Sequence, residues 1–156
     1  MFRTMRRIEK KTDMAKAEEI LKSQNYGVLS VQGDDGYPYG VPVNYAYRDG
    51  KLYLHGSSKE SHKTDAIRRN DKVCFTVIAE HDLIPDKMDT MYTSVIVFGR
   101  AKIIEAGEEK QEDLHIMLEE LSPKLAPNSD KILKVKDERF VMIEITAEDI
   151  SGKIGR

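Results

Sequence analysis

The chain has 156 residues, 40% hydrophobic and 33% charged, the composition of a folded domain rather than a disordered segment. A net charge of −2 argues against a nucleic-acid binder, because phosphate backbones demand a basic surface. No apolar run is long enough to span a bilayer, no signal-type segment follows the basic start, and the single cysteine, Cys74, excludes an internal disulfide. One domain over 1–156 and a cytoplasmic location are therefore expected.

In chain order, residues 1–11 read as a basic arm. Thr12 or Asp13 can cap a helix to about residue 23, with Met14, Ala17, Ile20 and Leu21 forming its apolar stripe. Strands are expected over 26–31, 38–47 and 51–56, joined by the turn signals Gly33-Asp34-Asp35-Gly36 and Asp49-Gly50. Ser57 and Glu60 fit the capping-box spacing, so a helix is expected over 57–70. Further strands are expected over 73–79, over 93–105 with Gly99 marking a bend or bulge, and over 140–145. Residues 80–92 read as a long loop of the kind that serves as a lid, and residues after 145 as a polar tail. Helices are expected over 108–121 and from Asn128 or Ser129 to about 136. Strands with regular turn signals and no β-α-β alternation predict a mainly β fold: a six-stranded antiparallel barrel with peripheral α-helices.

Three places carry candidate chemistry. The first is the strand-to-helix junction. Unpaired N–H groups at the helix start, the hydroxyls of Ser57, Ser58 and Ser61, and the Lys63 ammonium make an anion-holding corner suited to a cofactor phosphate. The helix offers only Ala66 and Ile67 for burial, so an ordinary polar surface helix is the competing reading. His55 lies just before this junction and is either a structural hydrogen-bonder or a proton donor, and His62 falls in the first helical turn. The second place is Val41-Pro42-Val43-Asn44-Tyr45. Pro42 belongs at an edge or bulge, which either leaves backbone groups free for a flat ring edge or protects the sheet from aggregation. The third is Tyr92-Thr93-Ser94-Val95, whose hydroxyls either reach a cofactor or only cap a strand. His81 and His115 read as surface or loop residues, no metal-ligand spacing is present, and Cys74 reads as a core residue. GxSxG, P-loop and GxGxxG motifs are all missing.

The ordered set MRR, YGVLS, GYPYGVPVNYAY, LYLHGSSKESHK and DKVCFTV resembles the FMN-binding split-barrel proteins related to pyridoxamine 5′-phosphate oxidase, and within them the nitroimidazole-resistance (Nim) branch. The resemblance runs over about residues 5–107. It implies a split-barrel homodimer with FMN at the interface. It implies that Val43, Asn44 and Tyr45 lie along the flavin ring, and that His55, Gly56, Ser57, Ser61, His62 and Lys63 approach the ring, ribityl chain and phosphate. Lys63 matches the family's phosphate-binding lysine, His55 the histidine facing the substrate pocket, and Ser94 and Val95 would contribute from the long strand. Similar proteins often carry Gly-Arg-Lys or Gly-His-Lys where this chain has Ser61-His62-Lys63, and the arginine-rich signature of true pyridoxamine phosphate oxidases is not evident near the C-terminus. The function expected from this resemblance is an FMN-dependent oxidoreductase. It would pass electrons from a reduced nicotinamide or another donor to a small electron-poor acceptor such as a nitroaromatic, with no nucleic-acid or membrane partner. The alternatives are a non-catalytic flavin- or haem-binding barrel, acting in sensing or storage, and a cofactor-free interaction barrel.

Overall fold

The computed structural model describes residues 1–156. The strands are β1 (Tyr26–Gln32), β2 (Pro38–Asn44), β3 (Ala46–Arg48), β4 (Lys51–Ser57), β5 (Lys72–Ile84), β6 (Asp89–Ile104) and β7 (Phe140–Gly155). They form one antiparallel sheet in the order β2-β1-β5-β6-β7-β4-β3, curled around a core as a split barrel. Helices α1 (Met14–Ser23), α2 (His62–Arg69), α3 (Gly107–Leu121) and α4 (Ser129–Lys136) sit around it.

The sheet has seven strands rather than six because Tyr45 interrupts the run over 38–47. Its ring turns into the core with no exposure, packs edge-on against Phe75, and donates its hydroxyl proton to the Leu21 carbonyl at 2.7 Å. Its N–H leaves the ladder for the Asn25 carbonyl at 3.0 Å. Two other expectations fail. The expected lid is the outer end of the β5–β6 hairpin, with Glu80 paired to Thr93 and Ile84 to Asp89 around a turn at Pro85–Lys87. The expected polar tail is the far half of β7, with Asp149 paired to Phe98 and Gly155 to Tyr92. In β7, charged residues occupy outward positions, so their polarity hides a two-residue period; the outer hairpin buries neither face and is a strand pair by its ladder alone. Gly99 does mark a bulge: the β6–β7 register shifts there, and a Cβ at Gly99 would lie 2.4 Å from the Thr146 carbonyl oxygen.

Asp13 caps α1, accepting from the Lys16 N–H at 2.8 Å, and Ala17, Ile20 and Leu21 are buried while Met14 stays exposed. A second core lies under α3, where Leu114 and Met117 meet Ala46, Tyr53, Ile104 and Met142. Two ionisable side chains of α3 are buried with them, beside Glu144 of β7. Lys110 is fully buried; its ammonium donates to the carbonyls of Glu105 (3.0 Å), Asp137 (2.7 Å) and Phe140 (2.7 Å) and to the Asp137 carboxylate (2.6 Å). Asp113 has a buried carboxyl oxygen without a hydrogen-bond partner, close to Glu144, which Lys51 holds at 2.9 Å.

Lys110→Met is expected to lower stability by about 2–4 kcal/mol, measured by denaturant unfolding, because several buried carbonyls lose their donor at once. Burial, and then the Glu144 charge, push the Asp113 carboxyl up to about 7. A carboxyl raised in the folded state is bound to its proton more tightly there than in the unfolded chain. Its contribution is complete below the unfolded value near 4 and is lost as pH rises through about 7. Asp113→Asn is therefore expected to flatten the fall in stability between pH 5 and pH 8. At pH 8 it should add about 1–2 kcal/mol, less than the full shift would carry because Lys51 and solvent screen the pair.

Candidate functional site

β4 ends against the first residues of β7, with His55 paired to Met142 and Ser57 to Phe140. At this end a groove of about 270 Å³ opens, lined by Val43 and Asn44 from the end of β2, His55, Gly56 and Ser57 from β4, and Lys63 from α2. β2 is the terminal strand of the sheet, so the side of it facing away from β1 has no ladder partner, and Pro42 sits on that edge strand. The ring-edge reading and the edge-protection reading of Pro42 both require this placement.

The polar run over 57–63 separates into groups with different tasks. α2 starts at His62, not at residue 57, and its cap is Ser61, whose Oγ accepts from the Thr64 N–H at 3.3 Å and bonds the Thr64 hydroxyl at 2.8 Å. Ser57 is instead the last residue of β4; its Oγ accepts from the Lys59 N–H at 3.1 Å and keeps its own proton to donate. Ser58 turns away from the groove, bonding the carbonyls of Glu138 and Arg139 before β7. His62 also faces elsewhere. Its ring stacks on Tyr39 at a centroid distance of 3.9 Å, and its Nε2 accepts from the Asp34 N–H at 3.2 Å. The expected cluster of serines and histidines around one anion is thus reduced to Ser57 and Lys63.

Lys63 makes no ion pair. Its stem runs against Gly56, where an added Cβ would lie 3.4 Å from Lys63 Cε. A side chain at residue 56 would crowd the lysine, and that close approach explains the glycine. His55 is open to solvent by area, although protein surrounds the base of its ring. Desolvation, and then the Lys63 charge, hold its pKa below the usual value, so the imidazole is neutral at pH 7. Asn44 has its amide nitrogen engaged with the Asn25 carbonyl at 3.1 Å, leaving the side-chain oxygen available.

Tyr45 and Val95 have fully buried side chains and cannot line the groove. The backbone of Tyr45 is likewise committed, through its N–H, to Asn25. Ser94 does face outward, but from the middle of the sheet, where it borders a different groove under the N-terminal arm. Within one chain it does not meet the Lys63 groove. Sequence reading missed Thr64, which completes the Ser61 cap, and Tyr39 and Asp34, which hold His62. No local signal could have shown the last two, because they reach His62 from the distant β1–β2 turn and β2. A wider groove of about 820 Å³ between α3 and α4 is lined by Glu108, Glu112, Asp130 and His115, a set unsuited to an anion. Cys74 is half-buried, and burial raises its thiol pKa, which opposes a nucleophilic role.

Among solved structures, the chain is similar to a protein of Bacteroides thetaiotaomicron assigned to 5-nitroimidazole antibiotic resistance, at 24% identity and a TM-score of 0.73, covering 91% of this chain and 84% of that one. A FAD-binding protein of Mesorhizobium loti shares 23% identity at a TM-score of 0.69, covering 94% of this chain and 97% of that one. A flavocytochrome of Azotobacter vinelandii superposes with a TM-score of 0.82 at 19% identity, over 98% of this chain and 72% of that one. At these identities the likeness shows the fold. No curated protein matches the sequence. The family model described as pyridoxamine 5′-phosphate oxidase matches residues 13–154, nearly the whole chain, so the chain belongs to the pyridoxamine 5′-phosphate oxidase family.

Proposed function

We propose that this protein binds FMN in the groove between β2, β4 and α2 and acts as a flavin-dependent oxidoreductase on a small electron-poor acceptor, such as a nitroimidazole or another nitroaromatic. The observation that carries the reading is the Lys63 ammonium: unpaired, held against Gly56, and next to a neutral histidine and a free strand edge. Its family membership and its likeness to flavin-binding proteins point the same way.

Lys63 and the Ser57 hydroxyl are the groups suited to the phosphate, and the unladdered side of β2 near Val43 and Asn44 is suited to the polar edge of the ring. When bound, the flavin supplies the two-electron chemistry between a reduced nicotinamide and the acceptor. His55, neutral at pH 7, can donate a hydrogen bond to the acceptor or orient it at the groove mouth.

A homodimer fits the outer face of the sheet. On β1, β5 and β6 the middle of this face presents Val28, Thr76, Ile78, Ile96 and Phe98, with Ile78 62% exposed, and charge enters only at its margins, with Lys72 opposite Arg100 and with Asp149 and Lys153 on β7. Such a face is suited to association with a second copy. Asn44, Tyr26, Ile78, Ser94 and Lys153 form one lateral row across it, from the flavin groove to the β7 side. A two-fold axis along β5 would set the Ser94 end of one copy against the groove end of the other, and Ser94 would then serve the partner's flavin.

The deciding experiment is an absorbance spectrum and FMN titration of the purified protein, followed by anaerobic addition of NADH and NADPH and then a nitroimidazole. Bound flavin that is bleached by the donor and reoxidised by the acceptor is the expected result. A protein that refuses flavin overturns the reading, and one whose bound flavin is never reduced is a carrier instead. Lys63→Ala is expected to weaken FMN binding about 10–100-fold, the loss of one charge-assisted contact to phosphate. Lys63→Gln should raise the His55 pKa toward its ordinary value, read by NMR titration of the ring, because one of the two causes of its depression is removed.

A further inference from the structure

We propose that Asp113 of α3 and Glu144 of β7 share one proton, and that this proton positions the end of β4, so that the Lys63 groove keeps its anion-holding form only while the pair is protonated. The functional half of this inference rests on the flavin reading of that groove; the positional half does not.

The pair is built with too few donors. Asp113 and Glu144 are 4% and 8% exposed. Lys51 reaches Glu144 at 2.9 Å, but no donor meets Asp113 Oδ2. The Lys110 ammonium, one helical turn earlier, has three protons and already has four acceptors within 3.0 Å. The other titratable groups around the pair are Glu109 on α3, Tyr53 on β4, Arg48 on β3 and Lys102 on β6. Arg48 is held by Glu119 and Glu120, and Lys102 by Glu109. One ammonium therefore serves two buried carboxyls. A proton between them lets Asp113 donate to Glu144 and leaves the pair a single negative charge, which Lys51 matches. Burial, and then the Glu144 charge, hold the Asp113 carboxyl up to about 7, so the proton leaves near neutrality.

The placement of the two residues carries the effect to the groove. Glu144, Met142 and Phe140 are alternate residues of β7, paired with Tyr53, His55 and Ser57 of β4. Met142 and Phe140 belong to the apolar cluster under α3, so all three meet the same helix from one face of the strand. Lys110 lies one turn from Asp113 on the buried side of α3 and holds the Asp137 and Phe140 carbonyls. With the proton in place, α3 is bonded to β7 at Glu144 and at Phe140, and the stretch opposite His55 and Ser57 is fixed at both ends. Without it, two carboxylates repel across the same contact, and the hold of Lys110 on residues 137–140 slackens. Gly56 and Ser57 then lose the register that brings Lys63 and the Ser57 hydroxyl into one groove.

The experiment is an NMR titration of the full-length protein from about pH 5 to about pH 9, with FMN affinity measured over the same range, for the wild type, Asp113→Asn and Glu144→Gln. The signals followed are the Asp113 carboxyl carbon and the amides of His55, Ser57, Ser58 and Phe140. In the wild type, carboxyl and amides are expected to move with one midpoint of about 7. In Asp113→Asn the amides should lose that transition and keep their low-pH positions, because the side-chain amide retains a donor and adds no charge. Glu144→Gln removes the second carboxylate and should move the transition to lower pH. Shifts of the native state do not report stability, so a merely structural pair would leave the four amides unmoved. From about pH 6 to about pH 8, FMN affinity of the wild type relative to Asp113→Asn is expected to fall about 5–10-fold. The flavin phosphate and His55 titrate in both proteins alike, so the ratio isolates the pair. An Asp113 carboxyl that titrates in the ordinary range, amides that do not follow it, or a constant affinity ratio overturns the proposal. Amides that follow the carboxyl in a protein that binds FMN at no pH would support the positioning and overturn the flavin reading alone.

Discussion

The geometry of the candidate site depends on a buried lysine that lies outside it. Lys110 has no exposed surface, and an ammonium left unpaired there would cost several kcal/mol. Acceptors from two segments prevent this: Glu105 just past β6, and Asp137 and Phe140 on the path that leads into β7. Those acceptors are available only when residues 137–140 take one path. The same path presents the Glu138 and Arg139 carbonyls to Ser58 and sets Phe140 opposite Ser57. The end of β4 is therefore clamped from the far side. His55, Gly56 and Ser57 inherit their positions from it, and Lys63 rests on Gly56. A group that sequence alone would place on a polar helix face thus sets the register of the site.

The fold was legible where apolar alternation was strong. The strands over 26–31, 51–56 and 73–79, the bulge at Gly99 and the helix over 108–121 all follow from local pattern and turn chemistry. It was illegible where polarity on one face masked the period. The half of β7 after residue 145 carries Glu148, Asp149, Ser151 and Lys153, yet Ala147, Ile150 and Ile154 between them pack against the core. The outer β5–β6 hairpin was illegible because none of residues 80–92 is buried, so no apolar period announces it. Lys110 and Asp113 were illegible for a different reason, since nothing near them in sequence announces that distant carbonyls or a carboxylate on β7 will receive them.

The candidate site shows the same division. His55, Gly56, Ser57 and Lys63 were legible together because they flank one strand-to-helix junction, whereas Val43 and Asn44 read as a separate place on an edge strand and joined them only through the family resemblance. Ser58, Ser61 and His62 share the chemistry of those residues but were claimed by other demands: two carbonyls ahead of β7, the orphan N–H groups of α2, and the turn between β1 and β2. Tyr45 could not be read as a core residue from its neighbours, since a tyrosine after an edge strand fits a ligand wall equally well. What places it inside is the Leu21 carbonyl at the end of α1, a partner supplied by another part of the fold.

The free cations complete this picture. Most surface arginines of this chain are paired, as are Lys16, Lys51 and Lys102. Exposed pairs contribute little to stability, so their frequency reflects local charge balance more than energy. Most other lysines, like Lys63, form no ion pair, so Lys63 stands apart by its place rather than by lacking a partner: it rests against Gly56 in a groove walled by the end of the edge strand β2. The middle of the outer face, where Ile78 and Ile96 are exposed, is apolar, and Lys72 and Arg100 stand at its margin. Burial of that face against a second copy, as proposed, would lower the local dielectric around the Lys63 ammonium and sharpen its preference for an anion. The proposed homodimer and the anion groove would then be one arrangement, because the face suited to association leads to the groove in which the charge stands.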